Sequence, residues 1–139
     1  MTKLKITIIA ALCIAVTSIA QAGERDGFAI MWIGQIHEHA SPAAVDTLIA
    51  EVAETVTQND GTLFFEISRV GTQLFGYERF ADLNGMMAQF ELVGPLYPRI
   101  TKAWKPVTVV PTTEVPAEVS EMLKNYNALV PDSVTNAGS

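Results

Sequence analysis

The chain has 139 residues, with nine basic against fifteen acidic side chains, a net charge of −6 and 49% hydrophobic residues. An acidic surface repels phosphate backbones and anionic headgroups, so charge-driven binding of nucleic acid or of an anionic membrane is excluded. The single cysteine, Cys13, leaves no disulfide to stabilise the fold, which must rest on burial.

In chain order, the basic Lys3 and Lys5, the apolar run Ile6 to Ile19 and the small-residue site Ala20-Gln21-Ala22 form a secretory signal. Residues 1–22 are expected to be removed, giving a secreted protein of a bacterial periplasm that starts at Gly23. The apolar run falls short of the roughly 20 residues of a membrane span, and no second such run follows, so no membrane association is expected after cleavage. Leu12 before Cys13, with apolar residues continuing after it, disfavours lipidation. The remaining chain suits one domain over residues 23–130 with a sizeable core, followed by a polar, disordered tail over 131–139.

Phe28 to His39 is apolar for most of its length and predicts a buried strand. Ser41-Pro42 opens a helix, since serine accepts from an orphan backbone amide and proline in the first turn loses no needed donor. Val45, Leu48, Ile49, Val52, Ala53 and Val56 give that helix its apolar face, and Asn59-Asp60-Gly61 ends it. Leu63 to Arg69 and Gln73 to Phe80 read as two strands joined by a tight turn at Val70-Gly71. Asp82 then caps a helix whose stripe is Leu83, Met86, Met87 and Phe90, and Leu96 to Trp104 continues as a helical stretch with Ile100 and Trp104 on one face. Val107 to Val110, bracketed by Pro106 and Pro111, suits an edge strand. Val119, Met122, Leu123 and Tyr126 mark a last helix. The order is β-α-β-β-α-β with an added C-terminal helix, an α+β, ferredoxin-like arrangement. Its strands are apolar on both faces, so a second sheet is the natural cover, and a homodimer is expected with the C-terminal helix placed to brace the partner.

Three groups of side chains could carry chemistry. The hairpin register decides which polar groups meet: pairing of Ser68 with Gln73 puts Phe64, Glu66, Phe75 and Tyr77 on one face, whereas a one-residue slip groups Glu66 with Glu78 as two carboxylates able to split their proton affinities. Either glutamate is otherwise a satisfied structural carboxylate. His37 and His39 fall on one side of the first strand and could share a metal or act as a base, but no third ligand of fixed spacing completes a metal site, so none is expected. Trp32, Met86 and Phe90 are core residues that could also line a pocket for a small apolar or aromatic molecule.

Gly61, Leu63, Phe65, Glu66, Phe75, Glu78, Phe80 and Asp82, in the run DGTLFFEISRVGTQLFGYERFAD, resemble the hairpin of the antibiotic-biosynthesis-monooxygenase-like family. The resemblance covers roughly Phe28 to Val110. It implies a dimeric α/β barrel and, by analogy with characterised relatives, either cofactor-independent oxygenation of quinols and aromatics or heme degradation. Many relatives carry a histidine on the helix after the hairpin, the iron ligand of the heme branch; Gln89 stands there in this chain. That favours the branch that needs no cofactor, with His37 or Glu66 as base and Tyr77 or Arg79 as donors on the oxyanion side. The rival expectation is a non-catalytic ligand-binding or stress-related module of the same fold.

Overall fold

The structure, a computed structural model, describes residues 27–126. The expected signal segment 1–22 and tail 131–139 lie outside them. Strand β1 (Phe28–Ile36) leads to helix α1 (Pro42–Val56), then to the hairpin β2 (Thr62–Val70) and β3 (Gln73–Phe80). Helix α2 (Leu83–Val93) runs through a short 3-10 turn at Gly94–Leu96 into α3 (Tyr97–Ala103), which feeds β4 (Trp104–Pro111); α4 (Ala117–Leu123) and a 3-10 turn at Lys124–Tyr126 close the described chain. The four strands form one antiparallel sheet in the order β2-β3-β1-β4. This is the ferredoxin-like arrangement expected from the element order, with β4 at an edge as its flanking prolines require.

The helix starts follow their capping chemistry. Ser41 Oγ accepts from the Ala44 amide at 3.2 Å ahead of Pro42, and Asp82 Oδ1 accepts from the Gly85 amide at 2.8 Å, satisfying N-terminal donors that the helices cannot. The hairpin differs from expectation by its turn. Val70 pairs with Gln73, so the turn is Gly71-Thr72, not Val70-Gly71, with Gly71 at φ +61, where a residue without Cβ is at ease. Ser68 accordingly faces Phe75 rather than Gln73. The shift is two residues, which leaves side-chain parity unchanged: Glu66 lies opposite Tyr77, and Glu78 points to the other face. The first strand also stops at Ile36, leaving His37 and His39 beyond its end.

The registers divide the sheet into two faces. Phe28, Ile30, Trp32, Gly34 and Ile36 of β1 share a face with Leu74, Gly76, Glu78 and Phe80 of β3, and the helices cover it. An irregularity between Ile33 and Gly34 in the β1–β4 pairing lets both Val109 and Trp104 turn to this side. Two apolar clusters fill it. One joins Ile36, Leu74 and Trp104 to Val45, Leu48, Val52 and Val56 of α1, with Ile100 packed against it. The other joins Phe28, Ile30, Phe80 and Val109 to Met86 of α2 and to Val119 and Leu123 of α4. Helix α4 therefore packs on its own sheet through Val119 and Leu123. Trp32 packs against both clusters.

Candidate functional site

Trp32 sits where the two clusters meet because β3 makes room for it. Its cross-strand partner is Gly76, and a Cβ there would stand 2.0 Å from Trp32 Cε2 and 2.3 Å from its Nε1. A glycine in a strand interior commonly marks such a close approach. The indole lies across β3 and its Nε1–H donates to Glu78 Oε1 at 2.6 Å. From α2, Gln89 Nε2 donates to the other carboxylate oxygen, Oε2, also at 2.6 Å. Glu78 is 8% exposed and Gln89 4%.

The network continues away from the carboxylate. Gln89 Oε1 accepts from the Thr62 hydroxyl at 2.8 Å, and Thr62 Oγ1 accepts from Asn59 Nδ2 at 2.8 Å. The Asn59 amide also donates to the Gly85 carbonyl at 2.8 Å, while its Oδ1 accepts from the Gly61 amide at 3.1 Å. Gly61 and Gly85 allow this because the chain passes too close there for side chains: a Cβ on Gly61 would meet the Gly85 Cα at 2.4 Å. Two glycines thus bring the start of β2 against the first turn of α2.

Burial pushes the Glu78 carboxyl above its ordinary range, and the donors on Trp32 and Gln89 pull it back only in part. Its cross-strand neighbours, Ile30 on β1 and Phe65 on β2, are uncharged, as are its two hydrogen-bond partners. Each carboxylate oxygen spends one lone pair on a donor and keeps a second. The group therefore holds a proton more readily than a free glutamate does, beside Trp32, whose indole is bonded to it.

The residues singled out from the sequence fall into three places. Trp32, Met86 and Phe90 are brought together on the helix side, with Met86 fully in the core. Glu66, Tyr77 and Arg79 share the opposite face, where Tyr77 meets Phe64 edge-on at 5.7 Å and Ser68 donates to Glu66 at 3.1 Å. His37 is at neither site. Its Nε2 donates to the Thr101 carbonyl at 3.1 Å, and that of His39 to the Lys102 carbonyl at 2.9 Å, the two rings stacked 5.4 Å apart. These imidazoles satisfy carbonyls at the end of α3 that the helix itself leaves open. Among the described residues no group of three or more His, Cys, Asp or Glu is placed to hold a metal ion. The sequence offers Glu78 only as a partner of Glu66 in the slipped register, which the structure does not adopt, and Gln89 only as a replacement; the signals for their network were the glycines at 61, 76 and 85.

Solved structures share this fold. The chain is similar to MupZ from Pseudomonas fluorescens at 17% identity and a TM-score of 0.69, over 83% of this chain and 96% of that one. It is similar to the protein YJCS at 8% identity and a TM-score of 0.55, over 63% and 97% of the two chains. A protein of unknown function from Nitrosomonas europaea, NE2512, aligns at 15% identity and a TM-score of 0.51, over 66% and 96%. At these identities the likeness is one of fold. No family model and no curated protein matches the sequence.

Proposed function

We propose that this chain is an exported, monooxygenase-like protein that binds a small hydroxylated aromatic or quinol-like compound on the helix side of its sheet, with Glu78 as the proton acceptor and neither metal nor flavin required. The observation that carries the reading is the buried carboxylate: Glu78 stands between Ile30 and Phe65 on the neighbouring strands, its proton affinity is raised by burial, and it is bonded to the Trp32 indole. Such a group is wasted as a surface charge and suited to acid–base work. A ligand hydroxyl gives its proton to Glu78 and the resulting electron-rich anion forms a ring carbon–oxygen bond to dioxygen, reducing it to a peroxide; the protonated carboxyl gives the proton to the outer peroxide oxygen, and the O–O bond breaks with loss of the ring C–H proton, leaving a ring carbonyl and releasing water. Desolvation by the surrounding apolar side chains keeps the anion reactive.

The same proposal includes a homodimer closed through the other sheet face. Met31, Ile33, Phe75 and Val110 on that face are half-buried, and Phe64 and Tyr77 are 46% and 37% exposed, an apolar surface better covered than left in water. Glu66, Tyr77 and Arg79 then belong to the contact between subunits and not to the reaction.

A second reading, a ligand-binding module without turnover, is supported by the completeness of the Glu78 network, since a carboxylate with a donor on each oxygen also serves as a structural group. Oxygen uptake by the purified protein with quinols and hydroxylated aromatics, free of added metal or flavin, separates the two. Glu78→Gln is expected to lower turnover by about 10²-fold or more, with Glu66→Gln and His37→Ala close to the unaltered protein. Ligand binding without oxygen uptake establishes the second reading. Loss of turnover in Glu66→Gln alone returns the base to the opposite face.

A further inference from the structure

The hydrogen bonds that end on Glu78 have one direction. The Asn59 side-chain amide is oriented from both ends by backbone groups: its Nδ2 faces the Gly85 carbonyl, which can only accept, and its Oδ1 faces the Gly61 amide, which can only donate. Its second Nδ2 proton goes to Thr62 Oγ1. The Thr62 hydroxyl, already accepting there, has its proton aimed at Gln89 Oε1. With its carbonyl taken, Gln89 presents N–H to Glu78.

We propose that Asn59 and Thr62 are positioning residues that hold the Gln89 amide in the one orientation that offers a donor to Glu78, and so set how readily that carboxylate takes up a proton. The proposal rests on the reading of Glu78 as the proton acceptor, but the relay is a property of the ligand-free protein. Turned over, the Gln89 carbonyl faces the carboxylate, repels its ionised form and invites the proton to stay. Nothing on the carboxylate side prevents that rotation, because Glu78 accepts a donor in one case and, protonated, donates in the other. The block lies at Thr62. In a turned-over amide the Thr62 hydroxyl accepts from both Asn59 and Gln89, and its own proton loses its acceptor, an unfavourable state for a half-buried hydroxyl. On the Trp32 side no such choice exists, since an indole nitrogen only donates.

Among the described residues, the side chains placed against Glu78 are uncharged. Ile30 and Trp32 stand on β1, Phe65 on β2 and Gln89 on α2; Tyr77 and Arg79, its neighbours on β3, alternate to the opposite face. Its titration therefore reports its neutral partners.

The test is a carbon-13 NMR titration of the Glu78 carboxyl in the full, ligand-free protein. Thr62→Val keeps the shape and removes the hydroxyl, and the Glu78 midpoint is expected to rise by about one pH unit, the size of one hydrogen bond's preference between the two charge states. Thr62→Ser, which keeps the hydroxyl, is expected to return the midpoint to that of the unaltered protein. A Thr62→Val midpoint equal to the unaltered one, or a shift that serine does not reverse, overturns the relay. A measurement without substitution stands beside it: the Thr62 hydroxyl proton and the Gln89 amide protons should be protected from solvent exchange in the folded protein, and rapid exchange of both overturns the proposal. Because neither measurement involves turnover, a relay that holds in a protein consuming no oxygen leaves this inference standing and removes only the oxygenase reading.

Discussion

Replacing Gly76 by alanine tests the packing on which the site depends. The added methyl would stand 2.0, 2.3 and 2.4 Å from Cε2, Nε1 and Cζ2 of Trp32, against the roughly 3.5–4.0 Å of ordinary carbon contact. Gly76 lies in β3, between β2 and β1, where the backbone cannot retreat, so the indole must move by more than 1 Å or so. That movement breaks the 2.6 Å bond from Trp32 to Glu78. Overpacking costs about 1–3 kcal/mol and a hydrogen bond to an ionised group about 1.5–3 kcal/mol, so Gly76→Ala should lose about 2.5–6 kcal/mol, a large fraction of the stability of a small domain. Urea unfolding followed by circular dichroism measures it. Two comparisons isolate the cause. Gly94→Ala, where nothing lies within 4 Å of the new methyl, should change stability by less than about 0.5 kcal/mol; in a Trp32→Ala background Gly76→Ala should cost under about 1 kcal/mol, because the clash has no partner. A Gly76→Ala protein as stable as its parent refutes the placement of Trp32 over β3.

Other consequences follow from the charges and surfaces. An unfolded glutamate titrates near 4.3 and Glu78 titrates above that in the fold; between the two values the folded state holds a proton that the unfolded state has lost, so stability falls as pH rises through this window, by about 1.4 kcal/mol for each unit of difference. Glu78→Gln should flatten that decline in a series of urea midpoints, and an unchanged slope contradicts the assignment. Asp46 is the opposite case: the Arg69 guanidinium, bonded to it at 2.6 and 2.7 Å, holds its carboxyl below the usual range, so this pair contributes above the ordinary aspartate value and is lost as pH falls through the depressed one. Asp46→Asn should accordingly lower stability at neutral pH and converge with the parent in strong acid. Sedimentation at micromolar concentration should give twice the chain mass, reverting to one chain in Phe64→Asp; a monomeric parent removes the dimer. Mass spectrometry of the exported protein should find Gly23 first, and a full-length product removes the signal assignment.

The fold was legible in the sequence wherever local chemistry decides it. Ser41-Pro42 and Asp82 cap helices as their side chains allow, and the prolines flanking Val107 to Val110 put that strand at an edge; of the two hairpin parities open in the sequence, the structure takes the one that puts Glu66 with Tyr77, with the turn one residue later than expected. The site was less legible, because it is made by strand order. Nothing local to Glu78 says that β1 lies beside β3, or that Trp32 will be opposite Gly76. Gln89 and Thr62 are 27 residues apart and meet only because Gly61 and Gly85 let two backbones touch. His37 and His39 lie past the end of β1, so strand alternation does not account for their stacking, and their bonds to α3 depend on where that helix ends.

The central claim, that a small hydroxylated aromatic binds beside Glu78, is tested most directly by fluorine NMR of protein labelled with 5-fluorotryptophan. The chain has two tryptophans, Trp32 at the site and Trp104 in the other cluster, and Trp104→Phe assigns the two resonances. Titration with a quinol or naphthol should move the Trp32 resonance saturably, leave that of Trp104 in place, and lose most of its effect in Glu78→Leu. If across a broad panel of such compounds the Trp32 resonance stays where it is, the ligand site proposed here is wrong.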